Sequence, residues 1–285
     1  MYPIAKHIII TAAIAIAMAI IRNPSPIALS TREKAQCISL EFENCSDNQK
    51  TVVQNAFNQA ISMASISRNI DFDSDPAAKD FFGPSSLNQK YQGQINSIFD
   101  RIATFRIGCT PGVRVGVECV DCSRNSSETI AYVRNIQLPG PYHDGNRLSK
   151  TSPIIKFCKR FFRDYKSPEA RVKEIFDFGR EDWKPDLRSY TNQASLVLHE
   201  IMHADALVSA QNGNRRIYDI EIKVENGSGE YLGVYGAEKC KTLARTVPER
   251  RNAKISLIRD GITSNADTYA QFALAKYVQK KLNGQ

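Results

Sequence analysis

Residues Ala194-Ser195-Leu196-Val197-Leu198-His199-Glu200-Ile201-Met202-His203-Ala204-Asp205-Ala206-Leu207-Val208 decide how the rest of the chain is read. No Pro or Gly interrupts residues 192–209, and the apolar Leu196, Val197, Ile201 and Leu207 have the spacing of a helix seated in a core. Positions i and i+4 of a helix share a face, so His199 and His203 can reach one ion. Glu200 directly follows the first imidazole, completing the spacing His-Glu-x-x-His. Zn²⁺ held by such a pair lowers the pKa of a bound water toward neutrality, and a neighbouring carboxylate can take its proton. The motif predicts one zinc per chain and metal-assisted hydrolysis with Glu200 as general base. The bland reading is an amphipathic helix with one His at its polar edge and one in its core. Against it, these five residues hold two of the chain's four histidines.

A chain of 285 residues with 42% hydrophobic content allows one or two domains with a substantial core. At the N-terminus Lys6 precedes an apolar run from Ile8 to Ile21 broken only by Thr11, followed by Arg22-Asn23-Pro24. That run is short for a bilayer span and suits a signal peptide. Ala17-Met18-Ala19 offers a cleavage site and Ala28 another, so residues 1–28 are taken as a leader cut between 19 and 28, and 29–285 as a single catalytic domain. Its halves are a helical and sheet portion, 37–162, and an active-site portion, 190–282. Secretion follows, with no stable membrane insertion. Seven cysteines, Cys37, Cys45, Cys109, Cys119, Cys122, Cys158 and Cys240, then read mainly as disulfides with one thiol left over. Cys119-Val120-Asp121-Cys122 also has the spacing of a redox or zinc pair, the less favoured reading. Sequons at Asn44, Asn125 and Asn226 agree with a glycosylated, secreted chain. The net charge of +8 becomes +6 when Lys6 and Arg22 leave with the leader, and the cations are interleaved with acids. This is a solvated surface, not a nucleic-acid footprint.

Periodicity predicts a core helix over 46–67, capped by Ser46 or Asp47, and another over 87–105. The Asp-, Ser- and Pro-rich segment 68–86 reads as a surface loop between them. Alternation over 113–119 predicts a strand, and 129–138 and 153–158 predict two more, so a small antiparallel sheet is expected beside the motif helix. One of the last two would be the cleft's edge strand, free to pair with extended substrate. His143, in the turn-rich loop 139–145, is a poor candidate ligand, and 163–190, with Trp183, reads as loop or short helices. Residues 217–224 alternate as a strand, and Ser264 or Asn265 caps a final helix with a Tyr269, Phe272, Tyr277 stripe. The fold class expected is α+β, mainly helical.

A catalytic zinc needs a third protein ligand, and no third His stands at a familiar extended position. The other distinctive segments are Val234-Tyr235-Gly236-Ala237, Cys240-Lys241-Thr242-Leu243-Ala244 and Asn265-Ala266-Asp267-Thr268-Tyr269-Ala270. With the motif, they resemble the aspzincins, the deuterolysin-like zinc endopeptidases secreted mainly by fungi. The resemblance covers 199–277 and, more weakly, Cys45-Ser46-Asp47 and Phe157-Cys158 upstream. It implies a zincin-like fold, an Asp as third ligand, and Tyr235 as the hydroxyl that stabilises the oxyanion; the bland role for Tyr235 is packing beside Gly236. It also places Asp267 near the pocket for the residue after the scissile bond, where a carboxylate would favour Lys or Arg. The bland role for Asp267 is an acid complementing a helix N-terminus. Lysine-specific members carry a Glu where this chain has Ala270. The family's Gly-Thr-x-Asp-x-x-Tyr-Gly string would put its ligand at position 232, which is Leu232. Asp219, between Ile217 and Ile220, is the favoured substitute, with Glu230, Glu221 and Asp205 still open.

The expected function is a secreted zinc endopeptidase with His199, His203 and Asp219 as ligands, Glu200 and Tyr235 as catalytic residues and Asp267 as a substrate contact. Its partners would be proteins or peptides, with basic residues near the cleavage site. The alternative is a catalytically impaired effector or interaction protein that retains the fold.

Overall fold

Ser46 opens the first helix. Its side chain accepts from the Gln49 N–H while the Gln49 side chain accepts from the Ser46 N–H, a reciprocal cap that starts α1 (Asp47–Ile66). The computed structural model describes residues 35–110, 112–122, 128–138, 151–178, 186–210, 213, 215–223, 231–249 and 262–283. The apolar leader, His143, Trp183, Glu230, Asn125 and Asn226 lie outside them.

The chain is α+β. A five-stranded mixed sheet has the order β2-β1-β3-β5-β4, built from β1 (Cys37–Glu43), β2 (Arg106–Ile107), β3 (Val113–Val120), β4 (Ala131–Gln137) and β5 (Thr151–Cys158). The antiparallel sheet expected from the sequence is corrected here: β2, β1, β3 and β5 are parallel and only β4 runs against its neighbour. The missing piece is β1, where Ile38, Leu40 and Phe42 alternate. Parallel partners need long crossovers, and α1 with α2 (Pro76–Phe82), α3 (Ser85–Asn88) and α4 (Gln92–Ala103) provides the one from β1 to β2 and β3. The segment 68–86 is therefore not all surface loop. Asp75 caps α2 ahead of Pro76 at its first turn, and Phe81 and Phe82 are buried, each 1% exposed.

After the sheet come α5 (Lys159–Asp164), α6 (Pro168–Phe178) and a 3-10 turn over Leu187–Tyr190. Next is the motif helix α7 (Gln193–His203), capped by Asn192 with Ser195 returning the bond. Val197, Leu198, Ile201 and Met202 bury its inner face against α1 and α10 (Ala266–Asn283). Between these helices run α8 (Asp205–Val208), the hairpin pair β6 (Glu221–Lys223) and β7 (Tyr231–Gly233), and α9 (Ala237–Glu249). The strand expected over 217–224 is thus shorter, with Tyr218 making only a single parallel bridge to Asn265. Tyr269 and Phe272 of α10 meet Phe82 and Phe99 in an aromatic cluster with ring centroids 5.1–5.7 Å apart. This cluster ties α10, and so the floor of the site, to α2 and α4.

Three disulfides, Cys37–Cys109, Cys45–Cys119 and Cys122–Cys158, all staple the sheet. Cys119 and Cys122 therefore belong to different bridges, which rules out their pairing as a redox or zinc motif. Cys240 is the leftover thiol, buried in α9. Among the described residues, no helix is long and apolar enough to cross a membrane.

Candidate metal centre

His199 and His203 stand one turn apart on α7, with Nε2 atoms 3.2 Å from each other. Asp219 Oδ1 lies 3.2 Å from each of them, closing a near-equilateral triangle. Ligand atoms about 2.0–2.1 Å from a tetrahedral zinc stand roughly 3.3 Å apart, so the triangle has the size of one face of that tetrahedron. The far sides of the rings decide what the near sides offer. His203 Nδ1 is 3.0 Å from the Ile217 carbonyl oxygen, which can only accept, so Nδ1 carries the hydrogen and Nε2 of the neutral ring presents a lone pair. His199 Nδ1 is 3.2 Å from Asp267 Oδ1, with the same consequence. Two imidazole lone pairs and a carboxylate oxygen then converge on one point. That arrangement is repulsive by itself and suits a cation, and its N/N/O donors suit zinc.

The charges favour a cation at this point, either a metal ion on the Nε2 lone pairs or a second proton on His199, and the two compete. Burial opposes a proton on His199, yet Asp219 and Asp267 on either side outweigh it and push its pKa well above the ordinary value. Burial alone would raise the Asp219 pKa; the two imidazoles instead hold it far below the usual carboxylate range. Glu200, 6% exposed, has its pKa raised chiefly by burial. Its Oε2 has no hydrogen-bond partner among the described residues. An unpartnered buried carboxylate oxygen beside a cation site suits a base awaiting a proton.

The centre opens into a cleft of about 840 Å³. Residues 128–133 and Asn135 form one wall, and Arg216, Tyr218, Tyr235 and Gly236 lie among the residues of another. Of the two candidate edge strands, β4 is the one at the sheet edge, whereas β5 is paired on both sides. Tyr235 is 51% exposed, with its ring 6.2 Å from that of His199. Burial, reinforced by Asp219, raises its hydroxyl pKa, so it remains a donor at neutral pH. Two glycines set this ring. A Cβ on Gly233 would lie 2.5 Å from the Tyr235 ring, and Gly236 adopts φ +84, where other residues are strained.

The segment Asn265–Asp267 buttresses the centre from behind. Asn265 Oδ1 accepts from Ile220 N–H at 3.1 Å, while Tyr218 and Ala266 complete the bridge around Asp219. Asp267 divides its oxygens: Oδ1 faces His199 Nδ1, while Oδ2 accepts from Gly236 N–H and lies 3.6 Å from Cys240 Sγ. Both carboxylate oxygens of Asp267 are thus engaged within the protein, one against His199 and one against Gly236. Of the other acids considered as third ligand, Asp205 pairs with Arg216 at 3.0 Å and Glu221 is exposed on β6. Asp219 is the described carboxylate grouped with both imidazoles. Asn135 is a site residue that motif reading misses: its side chain donates to the His203 carbonyl at 2.8 Å and accepts from Asp205 N–H at 3.1 Å. A carboxamide in mid-strand, where such residues are disfavoured, is its only signal in the sequence. Searches of protein-family models and of curated proteins return no match for this chain.

Proposed function

We propose that the chain is a secreted zinc endopeptidase of the aspzincin kind. One observation carries the reading: His199, His203 and Asp219 converge at 3.2 Å spacing with the unpartnered Glu200 beside them. Three sheet disulfides support an oxidising compartment. A zinc ion held by these three residues would polarise the scissile carbonyl and acidify a water. The chain's own residues supply the rest. An extended peptide pairs with the open edge of β4 and brings its carbonyl to the cleft floor. Glu200 takes the proton of the attacking water and returns it to the leaving amine, a transfer favoured by the raised pKa of its buried carboxyl. Tyr235, still protonated, donates its hydroxyl to the developing oxyanion. Asp267 and the Ile217 carbonyl hold the two imidazoles in one tautomer throughout.

Glu200→Gln tests this directly. The variant should bind one zinc per chain, measured by metal analysis after gel filtration, yet lose casein or peptide cleavage by roughly 10²–10⁴-fold. Undiminished cleavage by the pure variant would remove Glu200 from the mechanism. A wild-type protein that holds zinc and cleaves nothing would instead favour a binding protein built on this fold.

A further inference from the structure

Arg216 is the one Lys or Arg side chain among the described residues that line the cleft. Two acids of the cleft are committed elsewhere, Asp219 to the two imidazoles and Asp267 to His199 and Gly236. Arg216 Nε lies 3.0 Å from Asp205 Oδ2, an ion pair whose angle falls short of a hydrogen bond, and Asp205 is its one charged partner among the described residues. The two members sit at different depths. The Asp205 side chain is 2% exposed at the start of α8, whereas that of Arg216 is 48% exposed. With the anion behind and the cation in front, the pair is neutral in sum yet presents positive charge to the cleft. A guanidinium carries five N–H groups in one rigid fork. Its Nε side is given to Asp205, which leaves the terminal nitrogens for a second carboxylate. The pair is also tied to a metal ligand. Asp205 N–H donates to the Asn135 side chain, which itself donates to the His203 carbonyl, and Arg216 directly precedes Ile217, whose carbonyl meets His203 Nδ1. Arg216 therefore belongs to the end of the cleft where β4 meets the end of α7.

Resting on the endopeptidase reading above, we propose that Arg216 is a specificity-determining residue that binds a substrate carboxylate, an Asp or Glu side chain or a free chain end, close to the bond to be cut. A peptide paired with the β4 edge near Asn135 comes within reach of the guanidinium. Forked, charge-assisted pairing of Arg with a carboxylate is about twice as strong as a neutral hydrogen bond. Because Arg216 is half-exposed, the incoming carboxylate keeps part of its water and escapes most of the penalty of a buried ion pair. A Gln side chain has the shape of Glu without the charge, and a Lys side chain would meet like charge. If Arg216 served only to neutralise the buried Asp205, substrates would show no such preference.

The test separates selection from catalysis. Zinc-loaded Glu200→Gln protein is titrated calorimetrically with acetylated, amidated hexa-alanine peptides carrying one Glu, Gln or Lys at each of the four central positions, and with acetylated hexa-alanine ending in a free carboxylate. At one position the Glu peptide should bind about tenfold more tightly than its Gln counterpart, or the free acid about tenfold more tightly than the amide. The arm that responds identifies the source of the carboxylate. Adding Arg216→Gln should erase the gain and leave the affinity of the Gln peptide unchanged, which damage to the fold would not do. That change strands a buried carboxylate, so Asp205→Asn combined with Arg216→Gln is measured beside it and should give the same result. Equal affinities in both arms, or a carboxylate preference that survives the loss of Arg216, overturn the assignment. Cleavage of the same peptides by the wild-type protein is scored separately. Selective binding without cleavage would sink the peptidase reading and leave the role of Arg216 standing; cleavage with equal affinities would do the reverse.

Discussion

The sheet and the site are held together by different means. Every disulfide crosses the sheet: Cys37–Cys109 lies near its β2 edge, Cys45–Cys119 joins the end of β1 to β3, and Cys122–Cys158 closes β3 onto β5. The region from α7 to α10 has no disulfide, and its one cysteine is a buried thiol. Asp219 is kept in place by hydrogen bonds from residues 264–266 to its neighbours, and His199 by a carboxylate 68 residues away. Covalent bonds thus fix the frame, while the centre depends on polar contacts that a bound cation would complete. The lesson concerns what each region can lose. Disrupting the frame should lower stability everywhere, and disrupting the centre should loosen only its own surroundings.

Removing one member of the His199, His203, Asp219 triangle should give the largest effect. If structural zinc sites are worth about 10–16 kcal/mol over four ligands, one ligand is worth about 3 kcal/mol, so Asp219→Ala should weaken zinc binding by more than about 100-fold. Hydrogen exchange should then accelerate over 215–223 and 262–268, as it should when the wild type is chelated, while β1, β3 and β5 stay protected. Equal acceleration in the sheet would show that the two regions open as one. In the other direction, replacing Cys45 and Cys119 by Ser frees a loop of 74 residues. It should lower global stability by about 4 kcal/mol in urea unfolding. The folded fraction should still bind one zinc, and loss of zinc from protein that remains folded would end the separation of frame from centre.

Asp267→Asn comes next. Its carboxylate fixes the His199 tautomer, and the loss of such a partner lowers metal affinity or activity by about 10–100-fold. Asn keeps one acceptor where Asp267 uses two, so either the His199 Nδ1–H or the Gly236 N–H must then face an amide NH2. If Asp267 served only as a helix-end charge, zinc affinity measured in competition with a chelator would be unchanged.

The site was partly legible in the sequence, and the division follows the range of the interactions. The α7 motif is local: spacing on one helix brings His199, Glu200 and His203 together whatever surrounds them. The helices α1 and α10 are legible for the same reason, through their buried periodicity. Its place between Ile217 and Ile220 on a predicted strand favours Asp219 among four acids, but what aims it is the long-range bridge from Tyr218 to Asn265. The parallel order of the sheet depended on β1 and its pairing with β3, which no local pattern encodes. Asp267 illustrates the limit well. The family resemblance implies a substrate contact and its place at the start of a helix a dipole partner, but its contact with His199 is visible only once α10 lies against α7.

The smallest predicted effect lies where frame and centre meet. Asn135 belongs to β4, and its carboxamide grips the end of α7 by the His203 carbonyl and the Asp205 N–H. The carbonyl is one of the helix's last four and has no intrahelical acceptor role to fall back on. Asn135→Ala leaves both backbone groups to find other partners and should cost about 1 kcal/mol of stability. Zinc affinity should change little, because the Ile217 carbonyl and Asp267 still orient the two imidazoles. On the peptidase reading, peptide cleavage should show a raised KM with a smaller change in kcat, since β4 would no longer be aligned with His203. Asn135→Asp sharpens the test. It keeps an acceptor for Asp205 N–H but turns a carboxylate oxygen toward the His203 carbonyl, and two acceptors face to face repel. Asp should therefore be worse than Ala in both stability and KM, although it is closer to Asn in shape. The opposite order would mean that Asn135 serves by filling space and that β4 and α7 are aligned by the packing around them.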